Sequence, residues 1–428
     1  MDQITEVAAK PVLTRPDLTG YVAPDPYSMA LEDIDVSKPA LFATDQMWPY
    51  FKRLREEAPV HYCREAEFGP YWSVTRFQDI LRIENNPEVF SSDVARGGIT
   101  LRDQLEDFVL PMFIAMDAPQ HDFQRAAVNP VVGPTNLARL EILIRERAGK
   151  ILDELPRGEV FNWVDRVSIE LTTQMLATLF DFPWEQRRLL TRWSDVATAT
   201  PGGGIIEDDE QRKAELLECL TFFTELWNQR VNAPPTGDLI SLMAHADATR
   251  HQNPMEFLGN LLLLIVGGND TTRNSITGGL YALNKFPDQY DKLMADPSVI
   301  PNMVSEIIRW QTPLAHMRRT ATRDFEFEGQ QIKEGDRVVM WYVSGNRDET
   351  AIPDPDNFII TRERAKRHLS FGFGIHRCLG EKLAEMQLKI IWEEILKRFP
   401  KIEVVEEPTR VYSVFVKGYE SLMVRIPK

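Results

Sequence analysis

One cysteine of the chain lies in a sequence suited to hold a metal-bound thiolate. Residues 371–380 read Phe-Gly-Phe-Gly-Ile-His-Arg-Cys-Leu-Gly, and a helical pattern follows directly. Gly372, Gly374 and Gly380 allow a tight backbone turn and the close approach of a flat ligand. Such a turn can aim amide N–H groups at the Cys378 sulfur, and the positive end of the following helix would stabilise the anion. The pattern therefore favours a thiolate ligand at this position.

Two other interpretations of Cys378 follow from the residues alone. A single cysteine beside a glycine turn is most often an ordinary buried thiol. A zinc site is disfavoured, because His376 and Cys378 have no second ligand pair at suitable spacing. The complete ten-residue pattern resembles the haem-binding loop of the cytochrome P-450 superfamily, and the likeness extends over nearly the whole chain from about Trp48. The resemblance implies a haem-thiolate monooxygenase with haem b as cofactor and Cys378 as the only protein ligand of the iron.

A second pattern places two glycines, an acid and two alcohols inside a long helical stretch. Residues 261–272 read Leu-Leu-Leu-Leu-Ile-Val-Gly-Gly-Asn-Asp-Thr-Thr. Each glycine weakens a helix by about 1 kcal/mol relative to alanine, so a compensating role is expected, although a kinked core helix remains the alternative. The missing side chains could open a groove for a small molecule, where an acid and an alcohol can handle protons. The segment resembles the oxygen-binding helix of the same superfamily, which implies that Asp270 and Thr271 deliver protons to the oxygen.

Glu306 and Arg309 are three positions apart, which places both charges on one face of a predicted helix. Glu185 and Arg188 have the same spacing, and an exposed ion pair of this kind contributes only about 0–1 kcal/mol. Position favours the first pair, because it lies between the glycine-containing helix and the cysteine loop, in the order that the superfamily requires. The resemblance implies that this pair forms a buried structural network with Arg362 that holds the loop.

Four further basic side chains match positions that bind the haem carboxylates in the superfamily. They are His121, Arg125, Arg319 and His376. Two propionates at a buried haem edge need charge-assisted hydrogen-bond donors, and arginine and histidine supply them. An isolated arginine is more often a surface charge, but the resemblance implies that all four side chains contact the cofactor.

Two segments, residues 264–275 and 313–321, look like those of the bacterial subgroup that hydroxylates alkanes and fatty acids at or near the chain end. The resemblance implies that the enzyme uses O2 to insert one oxygen atom into a C–H bond of an apolar, medium-chain substrate. An apolar wall would select chain length and shape by the area removed from water, about 25 cal/mol per Å². The expected pocket residues are Leu263, Val266, Gly267, Leu314, Met317 and Phe415.

Other functions remain open beside this one. Terpenes and sterols are alternative substrates, because an apolar pocket accepts them as well. A non-catalytic thiolate-haem protein that binds a diatomic gas is an alternative of another class, and it would need no acid-alcohol pair such as Asp270 and Thr271. A peroxide-driven hydroxylase would carry an arginine for a substrate carboxylate in place of that pair, and the sequence shows no such replacement.

The composition argues against several other classes of protein. With 49 Lys and Arg against 64 Asp and Glu, the formal charge of −15 repels nucleic-acid backbones. The longest aliphatic run, residues 261–266, is far shorter than the roughly 20 residues that a membrane span needs. Cys63, Cys219 and Cys378 are poor material for a disulfide framework, and the N-terminus lacks a signal-peptide pattern. We therefore expect a cytoplasmic protein without a membrane span.

The electron donor is expected to be a separate protein. The chain shows no flavin or iron–sulfur module, and three cysteines cannot hold a cluster. The resemblance implies a 2Fe-2S ferredoxin with an NAD(P)H-dependent reductase. Arg377 and Lys382 flank the thiolate, so a local basic face could attract an acidic ferredoxin despite the net negative charge.

Amphipathic patterns predict that long helices position these residues. The predicted helices cover residues 48–58, 136–155, 165–181, 207–231, 254–285 and 379–398. Short strands are predicted at 60–62 and 71–74 and within a strand-rich region at 325–343.

These elements predict a mainly α fold with a small β region, the single-domain cytochrome P-450 fold. We expect that domain to cover residues 46–428, after an extended N-terminal arm over residues 1–45. Residues 201–204, Pro-Gly-Gly-Gly, are expected to join two helices, either as a mobile lid or as a plain surface loop.

Overall fold

Helices dominate the computed structural model, which describes residues 15–428. Residues 1–14 of the expected arm lie outside this range. The α-helices are α1 (Pro39–Ala43), α2 (Trp48–Glu57), α3 (Phe77–Glu84), α4 (Gln120–Val128), α5 (Pro134–Asp153), α6 (Glu170–Leu179), α7 (Arg188–Thr198), α8 (Asp209–Arg230), α9 (Leu239–His245), α10 (Pro254–Lys285), α11 (Pro287–Ala295), α12 (Ile300–Gln311), α13 (Tyr342–Gly345) and α14 (Glu381–Arg398). A π-helical segment, Val164–Ile169, leads directly into α6.

The β structure is confined to short strands. They are β1 (Val60–Cys63), β2 (Tyr71–Val74), β3 (Phe90–Ser91), β4 (Val160–Asn162), β5 (Met317–Ala321), β6 (Phe325–Phe327), β7 (Gln330–Ile332), β8 (Arg337–Met340), β9 (Glu403–Val404), β10 (Thr409–Arg410), β11 (Tyr419–Ser421) and β12 (Met423–Arg425). The main sheet has the order β1-β2-β8-β5-β3, with β2 and β8 parallel and its other neighbours antiparallel. Smaller sheets pair β4-β12-β9, β6-β7 and β10-β11.

Helix α10 is the central helix of the fold. The Asn253 side chain caps its first turn by accepting from the backbone N–H groups of Met255 and Glu256, and Pro254 occupies the first position, where no N–H is needed. The helix then packs against α6, α7, α12 and α14 and is buried along most of its length. Neighbouring elements on several sides therefore stabilise this 32-residue helix.

The predicted mainly helical fold with a small β region is confirmed. The pattern over 254–285 gave the bounds of α10, and the run after the cysteine loop forms α14. Two predictions are corrected. The first turns of the predicted helix at 165–181 are π-helical, and the strand-rich region ends at Met340, because α13 follows at Tyr342–Gly345.

Residues 15–45 contain the short helix α1 and pack on the body through apolar side chains. Ile34, Leu41 and Phe42 belong to the same buried cluster as Phe51 and Trp341. We keep the division into an arm over 1–45 and a single domain over 46–428 as a proposal.

Residues 199–208 connect α7 to α8, so residues 201–204 join two helices. Thr200 and Pro201 of this connection reach the wall of the cavity described below. Among residues 15–428, no helix has the combination of length and apolar character that is required to cross a membrane.

Candidate active site

A cavity of about 780 Å³ lies between α10, the cysteine loop and β5. Fourteen residues that the sequence singled out lie on its wall. They are His121, Arg125, Leu263, Val266, Gly267, Thr271, Leu314, Met317, Arg319, Gly372, His376, Cys378, Gly380 and Phe415. The four other predicted residues, Asp270, Glu306, Arg309 and Arg362, are buried beside or behind the wall.

The cysteine loop is closed by a backbone hydrogen bond from Cys378 N to Phe371 O at 2.8 Å. Gly372 and Gly374 have φ values of 63° and 66°, which favour glycine, and a Cβ on Gly374 would lie 2.4 Å from the carbonyl oxygen of Glu84. The loop conformation therefore requires glycine at these two positions.

Gly380 has a different role from the one expected of it. Its φ is −86°, so the backbone there does not need glycine, and the expectation of a special dihedral angle at Gly380 is wrong. A Cβ would meet no atom within 4 Å, because Gly380 borders the cavity. The missing side chain leaves room beside the sulfur, which agrees with the expected close approach of a flat ligand.

Cys378 is the accessible one of the three free cysteines, and its thiol faces the cavity. The thiol is deep in the protein, and burial raises its pKa. The backbone N–H groups of Gly380 and Glu381, at the start of α14, act in the opposite direction and lower this pKa. Helix and loop therefore provide donors to a sulfur anion, and a bound cation would complete its stabilisation.

Two histidines at one end of the cavity have nitrogen atoms that bond to no residue in the described part of the chain. His121 Nδ1 lies 2.7 Å from Asp122 Oδ1, and His121 Nε2 has no hydrogen-bond partner among the described residues. His376 Nε2 lies 3.0 Å from Ser92 Oγ, and its Nδ1 has no partner within that part of the chain either. Burial lowers the pKa of His376 to about 2, so this ring is neutral and can donate from Nδ1 while Ser92 donates to Nε2.

Arg125 and Arg319 lie on the same cavity wall. Arg125 Nη2 donates to the carbonyl of Arg377 at 2.6 Å, which ties α4 to the cysteine loop. Arg319 Nη2 lies 3.1 Å from Glu84 Oε2, and Tyr342 donates to the other oxygen of Glu84. Sequence reasoning missed Glu84 and Tyr342, because neither belongs to a spaced pattern.

These features fit a haem. A haem is a flat iron-containing group with two carboxylates, and it needs a thiol accessible from the cavity and open space beside that thiol, which Cys378 and Gly380 provide. Its carboxylates need donors, and His121 and His376 each have a nitrogen with no partner among residues 15–428. Buried polar atoms without partners are rare in proteins unless a ligand or water satisfies them. Cys378 would bind the iron, and His121, Arg125, Arg319 and His376 would hold the propionates.

The two glycines of α10 serve different purposes. Gly267 borders the cavity, and a Cβ there would meet no atom within 4 Å. Gly268 also touches the cavity, but a Cβ on it would lie 2.7 Å from Leu176 Cδ2 of α6, so any side chain there would have to displace Leu176. Thr271 Oγ1 donates to the carbonyl of Gly267 at 2.9 Å and thereby leaves its lone pairs available toward the cavity.

Asp270 is fully buried and does not line the cavity itself. Its carboxylate accepts from Ser194 Oγ at 3.0 Å and forms an ion pair with Arg273 at 2.9 Å. Burial raises the pKa of Asp270, and the positive charge of Arg273 opposes this shift. Thr198 Oγ1, 3.3 Å from Asp270 Oδ2, does border the cavity, so this hydroxyl connects the acid to it.

Arg273 also connects Asp270 to the protein surface. Its Nη2 lies 2.5 Å from Asp195 Oδ1, and the Asp195 side chain is 25% exposed. Sequence reasoning missed Thr198, Arg273 and Asp195, because two of them lie on α7, more than 70 residues before Asp270 in the chain. Asp195 and Thr198 are three positions apart on α7, and this spacing has a meaning only once α7 packs against α10.

Glu306 and Arg309 form a fully buried, two-pronged ion pair with both nitrogen–oxygen distances at 2.8 Å. Arg362 Nε donates to Glu306 Oε2 at 2.9 Å, so one carboxylate serves two guanidinium groups. The backbone N–H of Ile359 donates to the remaining oxygen at 2.8 Å. The structure brings the three predicted network residues together, whereas Glu185 and Arg188 are exposed.

Asn346 joins this network to the cysteine loop. Arg309 Nη1 donates to the Asn346 carbonyl at 2.9 Å. The Asn346 side chain then accepts from Leu369 N at 2.7 Å and donates to Ser370 Oγ at 2.9 Å, at the start of the loop. Sequence reasoning missed this residue, since a single asparagine has no distinguishing spacing.

The wall opposite the cysteine loop comes from separate parts of the chain. Residues 99–105, 110–114 and 197–201 contribute, together with α8 and residues 413–415. Most of the side chains are apolar, including Phe108, Phe113 and Leu216. Such a wall binds through apolar area and shape.

Comparison with known proteins agrees with this site. The family model described as Cytochrome P450 matches residues 168–411, and the chain belongs to this family. The linalool 8-monooxygenase of Pseudomonas putida is 35% identical over 408 residues, covering 93% of this chain and 100% of the relative. The methyl-branched lipid omega-hydroxylase of Mycobacterium tuberculosis is 32% identical over 391 residues, covering 87% and 90%.

A solved structure shows the same fold. CYP153D17 from Sphingomonas sp. PAMC 26605 is 50% identical with a TM-score of 0.88, covering 93% of this chain and all of the other. The protein is thus a cytochrome P450 monooxygenase, an oxidoreductase that uses haem, O2 and a redox partner.

Proposed function

We propose that the enzyme hydroxylates medium-chain fatty acids or alkanes at or near the chain end. The observation that carries this proposal is the predominantly apolar wall of the cavity that Thr271 borders, to which Leu263, Val266, Leu314 and Phe415 contribute. An apolar chain would gain affinity by burying its methylene groups, about 0.8 kcal/mol for each. The similarity to a lipid omega-hydroxylase supports a chain-end product.

We propose that the cofactor is haem b, held without covalent attachment to the macrocycle. Cys63 and Cys219 are buried away from the cavity wall, and Cys378 would be used by the iron. The haem, when bound, supplies the activation of O2 and the insertion of one oxygen atom into a C–H bond.

The chain's own residues would then manage substrate and protons. Leu314 and Phe415 exclude water from the apolar chain. Thr271 Oγ1 can accept a hydrogen bond at the cavity wall, where a proton is needed. Asp270 is the proposed acid of this proton path: burial raises its pKa, the ion pair with Arg273 opposes that shift, and the Thr198 hydroxyl is its contact with the cavity.

We also propose a 2Fe-2S ferredoxin, reduced by an NAD(P)H-dependent reductase, as the electron donor, and a cytoplasmic location. Lys382 is exposed on the first turn of α14, four residues after Cys378. Arg377 is 45% exposed but is bound to Glu381 at 2.7 Å and 2.8 Å, so Lys382 is the freer charge.

The proposal is tested by reconstituting the enzyme with a ferredoxin and its reductase and supplying alkanes and fatty acids of medium chain length. Mass spectrometry of the products locates the hydroxyl group. We expect predominantly terminal alcohols, because reaction at the strong C–H bonds of a terminal methyl requires that only the chain end reach the part of the cavity next to Cys378. A spread of internal alcohols would contradict the chain-end proposal.

Oxidation of terpenes is the second candidate, and the 35% identity to a linalool 8-monooxygenase favours it. Sterols would be accepted by a similar apolar wall. The same reconstituted system is given linalool and a sterol in parallel with the chain substrates. Brisk turnover of either compound without turnover of alkanes or fatty acids would replace the first proposal.

A further inference from the structure

A small charged cluster interrupts the predominantly apolar wall opposite the cysteine loop. Arg102, Asp209 and Arg212 all line the cavity there. Arg102 Nη2 lies 2.6 Å from Asp209 Oδ2, and Arg212 Nε lies 3.2 Å from Asp209 Oδ1. Two guanidinium groups therefore share one carboxylate, which leaves one positive charge without a counter-charge.

The other carboxylates on the wall do not supply that counter-charge. Asp103 is held by Arg318 Nη1 at 2.5 Å and by Arg337. Glu84 is occupied by Arg319 at the opposite end. Glu67 is exposed to solvent, where water screens its charge.

Arg212 is half-buried, with a side chain that is 16% exposed, and its charge is poorly compensated for such a position. Its Nη1 and Nη2 donate to the carbonyls of Ala197 at 3.1 Å and Ala199 at 2.6 Å, at the end of α7. Its buried Nε makes no well-aligned hydrogen bond with the described residues, although Asp209 lies within ion-pair distance. Burial lowers the pKa of Arg212, and the like charge of Arg102 adds to this effect.

Arg102, the neighbour of Arg212 in this cluster, has N–H donors to spare. Its side chain is 39% exposed, and its contact with Asp209 uses only one terminal nitrogen. Arginine presents five N–H groups in a planar fork that matches a carboxylate. A second anion between Arg102 and Arg212 would thus find donors from both side chains.

We propose that Arg102 and Arg212 bind the carboxylate of a fatty acid whose chain extends along the apolar wall toward Thr271. This inference rests on the proposed chain-end hydroxylation and ranks fatty acids above alkanes as substrates, since an alkane has no group for the cluster. It also supplies a reason for the regiochemistry. A chain held by its head group at one end presents its methyl end to the other.

The test compares decanoate with methyl decanoate, which has the same chain but no charge, by calorimetric titration of the purified haem-containing enzyme. We expect wild type to bind decanoate about tenfold more tightly than the ester, the usual range for a charge-assisted pair. Arg212→Gln and Arg102→Gln should remove most of this preference while the ester affinity changes less than about twofold. Asp209→Asn should strengthen decanoate binding, because it removes the competing carboxylate.

Lys213→Gln is the matched control, because Lys213 is the next residue on α8 but does not line the cavity and is paired with Asp107 and Glu210. It should keep the wild-type preference. Arg212→Lys separates charge from the contacts to α7 and should keep part of the preference.

Equal binding of acid and ester by wild type, or a Gln variant that weakens both ligands equally, overturns the carboxylate site and leaves chain-end hydroxylation standing. If wild type binds neither ligand, the proposed hydroxylation of fatty acids itself fails.

Discussion

The two ends of the cavity are built in different ways. The thiolate end is centred on two continuous segments, the loop at residues 371–380 and a short stretch of α10, to which α4 and β5 add basic side chains. The opposite wall combines residues 99–114, α8 and residues 413–415, which meet only in the folded protein. We propose that the first end carries the chemistry and that the second selects the substrate.

The difference reflects what each end must recognise. A thiolate, a flat cofactor and two carboxylates demand particular residue types at fixed spacing. An apolar chain demands only volume and shape, which many combinations of Leu, Ile, Phe and Met satisfy. A sequence motif can therefore identify the reaction while leaving the substrate open.

Loss of the charge at Glu306 should have the largest effect on stability. Glu306→Gln leaves Arg309 and Arg362 buried without a counter-charge, which should reduce the free energy of unfolding by about 3–5 kcal/mol. Glu185 belongs to the exposed pair that has the same spacing, so Glu185→Gln should change the free energy of unfolding by less than about 0.5 kcal/mol. Urea unfolding of both variants measures the difference, and equal values would show that the buried network does not hold the thiolate end.

Removal of the Thr271 hydroxyl should separate binding from chemistry. In Thr271→Ala the apolar wall is intact, so the substrate dissociation constant should change less than about twofold, whereas product formed per NAD(P)H consumed should fall about tenfold. Thr271→Ser keeps the hydroxyl and should restore most of the yield. An unchanged yield in the alanine variant would remove Thr271 from the proton path.

Sequence patterns predicted the scaffold of the thiolate end and missed its connections. The bounds of α10 and α14 follow from capping, helix periodicity and the adjacent loop, all of which are local. Thr198, Asn346 and Glu84 are single polar residues whose partners lie far away in the chain, from 24 residues to more than 230. Their importance comes from tertiary packing, so no local pattern could have indicated them.

The opposite wall was predicted less completely for the same reason. Leu314 and Phe415 were expected there, but Arg102 and Arg212 were not. An arginine on a helix is by default a surface residue. Only the packing of α8 against the end of α7 turns Arg212 toward the cavity.

Acid should lower the free energy of unfolding through His316, a residue of the cavity wall. This buried ring accepts from Leu101 N at 3.3 Å and donates to the Val414 carbonyl at 3.0 Å, and burial lowers its pKa to about 4. Above pH 6.5 the ring is neutral in both states, and its contribution is complete. As the pH falls from about 6.5 to 4, the unfolded chain binds a proton that the folded protein does not, which costs about 1.4 kcal/mol per pH unit.

His316→Gln should therefore lose less stability than wild type between pH 6.5 and 4, by about 1.4 kcal/mol per pH unit. Urea unfolding at several pH values gives this slope. Parallel slopes for the two proteins would show that His316 does not titrate on unfolding.

The smallest effect is expected on the rate of electron transfer, at the protein surface next to the cysteine loop. Lys382→Glu should slow electron transfer from the ferredoxin about two- to threefold at low salt, and added salt should abolish the difference. Lys333→Glu, which lies after β7 and is paired with Asp324, is the control and should have no effect. Stopped-flow reduction of the haem measures both, and identical rates at all salt concentrations would place the docking surface elsewhere.

The central claim is that Cys378 supplies the thiolate around which this end of the cavity is built. Its most direct test is the absorption spectrum of the reduced protein under carbon monoxide. Wild type, Cys63→Ser and Cys219→Ser should all show the strongly red-shifted band of thiolate-bound haem, and Cys378→His should lack it while still binding haem. Persistence of the band in Cys378→His, or its loss in either of the other variants, would contradict the account.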